Sequence, residues 1–212
     1  MYPINGIPFV EYSLKNILSC KMATEDTLLT FVVGYKPEQI MNYFGNRYNG
    51  LKISYVFQEK ALGTGNAVKI AYKNESYKSD SYLFWLGDTL LNKDHLEKIL
   101  HSKEKNIQSI SKNTNSDKQF ERVDIMNNRI IKAYNGSSPF VDIGITKLSS
   151  SAIKYIGRKK TNEYRYLLDL QSIIDTHGNV NYIEDNNWIH LGDIQPSFEE
   201  NIKEVTRKLG GF

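Results

Sequence analysis

Apolar residues in the first hundred positions follow two spacings, one typical of helices and one typical of strands. Residues 9 to 20 repeat apolar side chains at helical spacing, which predicts an amphipathic helix. Three short apolar runs predict strands: Leu28 to Val33, Leu51 to Phe57 and Tyr82 to Leu86. The runs are nearly continuous rather than alternating, which is typical of strands buried on both faces of a parallel sheet.

Helices are predicted between these strands. Pro37 stands at a good first helical position, and Gly45 is a suitable stop for the helix that it begins. A second helix is predicted from Thr64 to Tyr72, and the segment from Asp94 to Glu97 is similar to a capping box that opens a third. Alternating strands and helices favour an α/β fold with three layers and a mainly parallel, Rossmann-like sheet.

The pattern changes after residue 105. Residues 106 to 148 form short β-rich pieces with a hairpin predicted at Asn127-Asn128, which indicates a mixed or antiparallel extension. Helices are predicted at 150–156 and 166–176, followed by a strand through Trp188 and a closing helix. One face of that closing helix would carry Phe198, Ile202, Val205 and Leu209. We expect a single domain over 1–212, with parts 1–105 and 106–212.

Composition narrows the function classes. The chain has 212 residues and a formal charge of +3, without the basic clustering expected of a nucleic-acid-binding protein. Its apolar runs are shorter than the ~18 residues of a membrane span. The one cysteine, Cys20, excludes an intrachain disulfide, which fits a cytoplasmic protein. Cys20 is interpreted as structural, and His95, His101 and His177 as helix-surface or helix-end residues.

The segment between the second strand and its helix is a candidate ligand loop. In open α/β sheets, ligands bind beyond the carboxyl ends of the strands. Gln58 stands at such an end, and its amide could pair with the edge of a nucleobase. Gly63 and Gly65 would let a ligand approach the backbone before the helix begins at Thr64. An ordinary strand-to-helix turn explains the same residues.

A second candidate follows the third strand. Gly87-Asp88 comes directly after the apolar run that ends at Leu86, so the carboxylate of Asp88 would lie at the tip of a buried strand. Mg²⁺ commonly binds one or two carboxylates together with phosphate oxygens. Asp88 is therefore either a magnesium ligand or the cap of a turn.

The order of these segments resembles that of the sugar-1-phosphate nucleotidylyltransferases. The resemblance extends over nearly the whole chain and rests on five segments. They are residues 3–12 (PINGIPFVEY), 32–45 (VVGYKPEQIMNYFG), 58–67 (QEKALGTGNA), 86–89 (LGDT) and 188–192 (WIHLG).

The resemblance implies that a nucleoside triphosphate and a sugar 1-phosphate form a nucleotide-sugar and pyrophosphate. Gln58 and the backbone of Leu62, Gly63 and Thr64 would recognise the base, and Gly87 would also bind the nucleotide. Asp88 would be the catalytic residue that holds Mg²⁺. Gly144 matches a glycine of the family's sugar pocket, to which Asp142 and Glu163 are also assigned. Such a transfer depends mainly on alignment and on neutralising phosphate charge.

The sequence departs from the family pattern in two ways. The family normally begins with a buried strand and a glycine-rich loop, and neither precedes Pro3 here, so Phe31, Val32 and Val33 are expected to face a gap or an exposed sheet edge. A longer natural protein, a homo-oligomer or other partner that supplies the strand, or a decayed gene would each explain this. His190 stands where the family commonly has a second metal-binding aspartate, with Asp142 and Asp193 as candidate replacements.

Three function hypotheses follow. The first is a nucleotidyltransferase-like protein of nucleotide-sugar biosynthesis that is impaired or inactive. The second is a non-catalytic partner that binds nucleotide-sugar and regulates a full-length homologue. The third, ranked lowest, is a metal-dependent glycosyltransferase, because Asp88-Thr89-Leu90 lacks the second carboxylate usual at that metal site.

Overall fold

A computed structural model describes residues 3–20, 24, 26–74, 78–112, 120–157, 166–178, 180–191, 203, 206, 207 and 209. The helices in this part of the chain are α1 (Phe9–Ser19), α2 (Pro37–Phe44), α3 (Thr64–Asn74), α4 (Lys93–His101), α5 (Ser150–Ile153) and α6 (Tyr166–His177). The strands are β1 (Pro3–Ile4), β2 (Ile7–Pro8), β3 (Leu28–Val33), β4 (Arg47–Tyr48), β5 (Leu51–Phe57), β6 (Ser81–Trp85), β7 (Ile107–Lys112), β8 (Asp124–Met126), β9 (Arg129–Lys132), β10 (Phe140–Ser149) and β11 (Asn181–Glu184).

The first half confirms the predicted alternation of strands and helices. β3 and β5 run parallel and in register, with Leu28 opposite Lys52 and Val33 opposite Phe57. Pro37 lies in the first turn of α2, and Gly45 follows its last residue with a φ of 60°. A positive φ is accessible to glycine at little cost, which explains why the helix ends there.

The α/β class is confirmed, but the strands are divided among separate sheets. β3, β5 and β4 form one sheet, and a six-stranded sheet has the order β6-β10-β7-β11-β9-β8. β7 and β11 are parallel, whereas β10 runs antiparallel to both β6 and β7. β6 therefore belongs to the sheet of the second half, and among the described strands β3 lies at the end of its own sheet.

The predicted hairpin joins β8 to β9. Asn127 and Asn128 form its turn with φ values of 50° and 60°, and Met126 pairs with Arg129 on either side of it. Two successive positive φ values match a tight hairpin turn, for which asparagine is a favoured residue.

Several predicted boundaries were wrong, including that of the helix predicted at 150–156, since α5 ends at Ile153. α4 begins after Asn92, whose side chain accepts a hydrogen bond from the backbone N of Asp94 at 3.0 Å, so Asn92 and not Asp94 caps the helix. β11 ends at Glu184 rather than continuing through Trp188, because the chain turns at residues 186 and 187. Beyond that turn, His190 forms a bridge with Thr89.

The core lies on both faces of β6. Tyr82 and Phe84 pack against a buried cluster that includes Leu170 of α6. Leu83 and Trp85 pack against another that includes Leu96 of α4. Among the described residues, none of the helices combines the length and the apolar character that crossing a membrane requires. Phe198, Ile202 and Val205 of the predicted closing helix lie outside the described residues, whereas Leu209 is helical and buried.

Candidate functional site

The loop from Gln58 to Gly63 joins β5 to α3 and is held by one hydrogen bond to β3 and another within the loop. The backbone N of Gln58 donates to the carbonyl of Val33 at 2.8 Å, which ties the loop to the end of β3. The side-chain Nε2 of Gln58 donates to the carbonyl of Gly63 at 3.1 Å. Gly63 has a φ of 91°, a conformation strained for other residues. The amide of Gln58, predicted to recognise a base, therefore shapes the loop in this structure.

Gly34 explains how closely β3 and this loop approach. A Cβ atom at Gly34 would lie 3.2 Å from the carbonyl oxygen of Gln58, a distance that would push the backbone away. The carboxyl ends of β3 and β5 consequently meet at the loop, as expected for parallel neighbours.

Asp88 lies where the sequence predicted it, just beyond β6. The turn before it is closed by a hydrogen bond of 3.0 Å from the backbone N of Thr89 to the carbonyl of Leu86. The carbonyl of Asp88 accepts from the backbone N of Leu191 at 2.7 Å. The backbone at Asp88 is thus held by two chain segments that lie far apart in sequence.

His190 is the immediate neighbour of that carboxylate. Its Nε2 lies 3.5 Å from Oδ2 of Asp88, and the Asp88 side chain is 48% exposed. Partial burial raises the pKa of Asp88, but the hydrogen bond and charge of His190 outweigh it, so that the pKa lies below its usual value. Asp88 is therefore a carboxylate at neutral pH.

Aromatic rings surround His190. The ring centroids of Phe120 and Trp188 lie 5.2 and 5.7 Å from that of His190, and their own centroids are 5.0 Å apart. This packing restricts the imidazole to one side of Asp88. The fold therefore holds a histidine in place at the position where the family resemblance led us to expect aspartate.

Gly144 brings β10 against the end of β6. Its φ is 74°, and a Cβ atom there would lie 2.6 Å from Cδ1 of Leu86. The backbone N of Leu86 donates to the carbonyl of Gly144 at 3.0 Å. β10 also shifts register with β7 between Asp142 and Thr146. The glycine predicted for the sugar pocket is thus hydrogen-bonded to the strand end that Asp88 follows.

Asp142 is enclosed next to Gly144. Its Oδ1 accepts from the backbone N of Gly144 at 3.0 Å and from Nε2 of Gln108. Burial raises the pKa of Asp142 to about 6, although these two hydrogen bonds lower it in part. Asp142 therefore changes charge within the range where many enzymes operate.

Sequence reasoning missed the polar network behind Asp142. Oε1 of Gln108 accepts from Thr146 Oγ1 at 2.6 Å and from the Tyr166 hydroxyl at 3.0 Å, and the hydroxyl also contacts Thr146 Oγ1 at 2.8 Å. All three side chains are buried. The signal in the sequence was the polar pair Gln108-Ser109 between apolar residues of a strand, since buried polar groups are normally hydrogen-bonded.

His95 was also misplaced by sequence reasoning, which put it on a helix surface. It is 2% exposed, and its Nε2 lies 2.7 Å from Oγ of Ser109. Its Nδ1 lies 3.8 Å from Oδ2 of Asp185. Burial lowers the pKa of His95 despite the nearby Asp185. Because Ser109 is fully buried, the three residues form a structural contact between α4 and the six-stranded sheet.

A cavity of about 880 Å³ unites part of the predicted site. Thr64, Gly87, Asp142 and Gly144 line it, together with β3 and β6. Gln58, Leu62, Gly63 and Asp88 are not among the lining residues, although Gly63 precedes Thr64 and Asp88 follows Gly87 in the chain. Glu163 and Asp193 lie outside the described residues.

The described residues around Asp88 offer few ligands for a metal ion. Within the described part of the chain, no group of three or more histidine, cysteine, aspartate or glutamate residues is arranged to hold a metal ion. Asp142 accordingly does not join Asp88 and His190 in such a group. Asp88 offers one carboxylate, which suits Mg²⁺ when phosphate oxygens of a ligand supply the other contacts.

Curated proteins with related sequences include a heptose 1-phosphate guanylyltransferase and a bifunctional protein named GlmU. The chain is 37% identical to D-glycero-alpha-D-manno-heptose 1-phosphate guanylyltransferase of Aneurinibacillus thermoaerophilus, over 42% of this chain and 36% of that protein. It is 27% identical to the bifunctional protein GlmU of Methanococcus maripaludis, over 100% of this chain and 51% of that protein. The chain thus spans about half or less of these relatives. No protein-family model matches it.

Solved structures show the same fold. An inositol-1-phosphate CTP transferase from T. maritima superposes with a TM-score of 0.73 and 18% identity, covering 96% of this chain and 85% of that one. A UDP-glucose pyrophosphorylase complexed with UDP-glucose superposes with a TM-score of 0.74 and 15% identity, covering 100% and 89%. The chain is thus similar in sequence to a heptose 1-phosphate guanylyltransferase over part of its length, and it shares its fold with the CTP transferase and the UDP-glucose pyrophosphorylase.

Proposed function

We propose that the chain binds a nucleotide and a sugar phosphate where β5 and β6 end, beside the bulge of β10, and that it acts in nucleotide-sugar biosynthesis. The observation that carries this proposal is the direct contact between Leu86, at the end of β6, and Gly144, in the bulge of β10. The proposal is supported by the cavity beside this contact, because Thr64, Gly87, Asp142 and Gly144 all line it.

In this reaction, a phosphate oxygen of the sugar 1-phosphate attacks the α-phosphorus of a nucleoside triphosphate. The bond from that phosphorus to the bridging oxygen breaks, and pyrophosphate leaves with the electron pair. The protein would mainly align the two phosphates. The backbone of Leu62, Gly63 and Thr64 would face the base, and Gly87 would leave room for the ligand next to Asp88.

Mg²⁺ is the proposed cofactor, and it would neutralise charge on the phosphates. Asp88 suits this role because its carboxylate is ionised and half-exposed, and because the preceding residue, Gly87, lines the cavity. Asp142 suits the sugar rather than the metal: it is enclosed beside Gly144, where a carboxylate can accept hydrogen bonds from hydroxyl groups.

Nucleotide binding tests the proposal directly. Titration calorimetry with ATP, GTP, CTP, UTP and dTTP should show binding of at least one nucleotide that is stronger with Mg²⁺ than without it. Asp88→Asn should weaken the Mg²⁺-dependent part at least about tenfold, the smaller loss commonly seen when a metal site is disturbed. Asp94→Asn, an exposed aspartate at the start of α4, is the matched control. Absence of heat with all five nucleotides would contradict the proposal.

Turnover is expected to be very low. His190 occupies the space beside Asp88 where a second carboxylate would complete the Mg²⁺ site, and imidazole is a poor ligand for that ion. An assay of pyrophosphate release from each nucleoside triphosphate with glucose 1-phosphate or mannose 1-phosphate measures this, and His190→Asp should increase the release. Rapid release by the unaltered chain would show that His190 does not limit catalysis.

Binding without turnover in either variant would favour the second function, a non-catalytic partner that binds nucleotide-sugar. The specific observation for it is the single carboxylate at the site, since no metal-binding group of three is found in the described residues. Such a protein should co-purify with a nucleotidyltransferase from the same cell.

A further inference from the structure

Gln108 of β7 lies at the centre of the buried polar network that adjoins Asp142. Its side chain is fully buried, and it pairs with Thr146 across the β7–β10 ladder, so the two side chains share one face of the sheet. Asp142 pairs with Ile110, two residues further along β7, and therefore lies on that same face. The bulge of β10 between Asp142 and Thr146 thus brings both residues to a single glutamine.

The hydrogen bonds of Gln108 fix the orientation of its amide. Oε1 accepts from Thr146 Oγ1 at 2.6 Å and from the Tyr166 hydroxyl at 3.0 Å. Nε2 donates to Oδ1 of Asp142. If the amide were turned over, Oε1 would face the carboxylate, and two hydrogen-bond acceptors would meet. Thr146 and Tyr166 therefore hold the Nε2 donor toward Asp142.

Both hydrogen bonds that Asp142 accepts from described side chains and backbone end on the same oxygen, Oδ1. The second donor is the backbone N of Gly144, at 3.0 Å. Asp142 also lines the cavity of about 880 Å³, and no described residue donates a hydrogen bond to its other oxygen, Oδ2. Oδ2 is therefore the oxygen with which Asp142 can bind a ligand.

The same contacts decide which ligand group suits this wall of the cavity. The N–H of Gly144 is used by Asp142, so it does not donate to a carbonyl or carboxylate of a ligand. Glu121 lines the cavity as well, and its carbonyl accepts from the backbone N of Asp142 at 3.0 Å, which places the two residues side by side. This wall offers hydrogen-bond acceptors, and it suits a ligand group that has a hydrogen to donate.

We propose that Gln108 is a positioning residue through which Asp142 selects a sugar phosphate by the hydrogen of one hydroxyl group. Gln108 is not among the residues that line the cavity, so it acts through Asp142: it occupies Oδ1, and Oδ2 accepts from the sugar. The inference rests on the proposed binding of a sugar phosphate. It adds the group by which the sugar is chosen, a hydroxyl rather than a group of equal size that can only accept.

Deoxyfluoro sugar phosphates test this selection. The probes are glucose 1-phosphate, mannose 1-phosphate and analogues in which fluorine replaces one hydroxyl at a time, because fluorine has nearly the size of a hydroxyl but no hydrogen to donate. Calorimetry with the unaltered chain should show one position at which the replacement weakens binding about ten- to a hundredfold, as expected for a lost hydrogen bond to a charged group. Replacement at the other positions should have a smaller effect.

Variants of the network test the positioning role. Gln108→Leu removes the donor to Oδ1, so the fluorine replacement should weaken binding less in this variant than in the unaltered chain, by about threefold or more. Tyr166→Phe keeps the ring contact with Phe84 but removes one hydroxyl that holds the amide, and should act in the same direction to a smaller extent. Gln171→Leu is the matched control, because Nε2 of Gln171 also donates to an aspartate, Asp175, and neither residue lines the cavity.

The pKa of Asp142 gives a readout that does not depend on sugar binding. Burial raises this pKa to about 6, although the hydrogen bond from Gln108 opposes the increase. Gln108→Leu should therefore raise the pKa further, whereas Gln171→Leu should leave it unchanged. Glu121 and His190, whose charges also act on this carboxylate, are the same in every variant. NMR titration of the Asp142 carboxyl carbon measures the pKa, and circular dichroism checks that each variant is folded.

Two results would overturn the role of Gln108 while the proposed function stands. One is sugar phosphate binding in which no fluorine replacement weakens the affinity tenfold, and the other is an equal effect of that replacement in Gln108→Leu and the unaltered chain. An unchanged pKa of Asp142 in Gln108→Leu would overturn the role whether or not a sugar binds. If no sugar phosphate binds to the unaltered chain, the proposed function and this selection are both wrong. Should Gln108→Leu not fold, the same two measurements on Tyr166→Phe decide the question.

Discussion

Asp142 illustrates how a single residue acquires chemistry that its neighbours in sequence do not reveal. It lies in a strand, where an isolated aspartate is unfavourable, and the bulge of β10 turns the backbone N of Gly144 toward its carboxylate. Burial raises its pKa to about 6, so the folded protein holds a proton there that the unfolded chain has already released. The pKa of Asp88 is lowered instead, because His190 lies next to it.

A pH dependence of stability follows from Asp142. Because its pKa is higher in the folded protein, its favourable contribution is fully present below pH ~4 and is lost as the pH rises through about 6. Asp142→Asn removes this loss, so the variant should gain stability relative to the unaltered chain between pH 4 and 7, by on the order of 1–3 kcal/mol. Urea unfolding at several pH values measures the difference.

Asp124→Asn is the matched control with the opposite sign. Backbone N–H groups of Ser137 and Ser138 donate to the Asp124 carboxylate and bring its pKa below the usual value, although slight burial raises it. Its contribution is present above pH ~4 and is lost on acidification. If the free energy of unfolding of both variants changed with pH in the same way, the raised pKa of Asp142 would be contradicted.

At the scale of elements, the position of β10 depends on one glycine. Gly144→Ala should destabilise the protein, because alanine at a φ of 74° costs about 1–2 kcal/mol and its Cβ would also displace Leu86. Gly178→Ala is the control, since Gly178 has a φ of 65° and a Cβ added there would meet no atom within 4 Å. Thermal unfolding should show a larger loss for Gly144→Ala, by roughly 2–4 °C for each additional kcal/mol.

The two glycine variants also separate stability from function. If Gly144 shapes the sugar pocket, Gly144→Ala should weaken the binding of a sugar phosphate, while Gly178→Ala should not. Equal unfolding temperatures for the two variants would mean that Leu86 moves aside without cost.

Most elements could be predicted from local sequence because each has a local cause. The strand at Leu28 to Val33 was predicted to the residue, as was the strand at Leu51 to Phe57, since continuous apolar runs of that length suit buried strands. The turn at Asn127-Asn128 was predicted because asparagine tolerates a positive φ. The end of β11 was not predicted correctly, because Trp188 and His190 contact other parts of the chain rather than continuing the strand.

At the scale of the whole molecule, the pairing of the strands determines where the candidate site lies. β6 pairs with β10, which comes from the second half of the chain, and β3 remains at the edge of another sheet. The candidate site lies at the boundary between these sheets, where residues of both β3 and β6 line the cavity.

The sequence alone established the α/β class and the positions of Gln58 and Asp88 at strand ends. Hydrophobic spacing and the backbone preferences of proline, glycine and asparagine were sufficient for this, because they act within a few residues. The contact of His190 with Asp88, the raised pKa of Asp142 and the space between β3 and β6 depend on residues far apart in sequence. Distances and burial of this kind exist only once the chain has folded, which is why the tertiary structure alone could decide them.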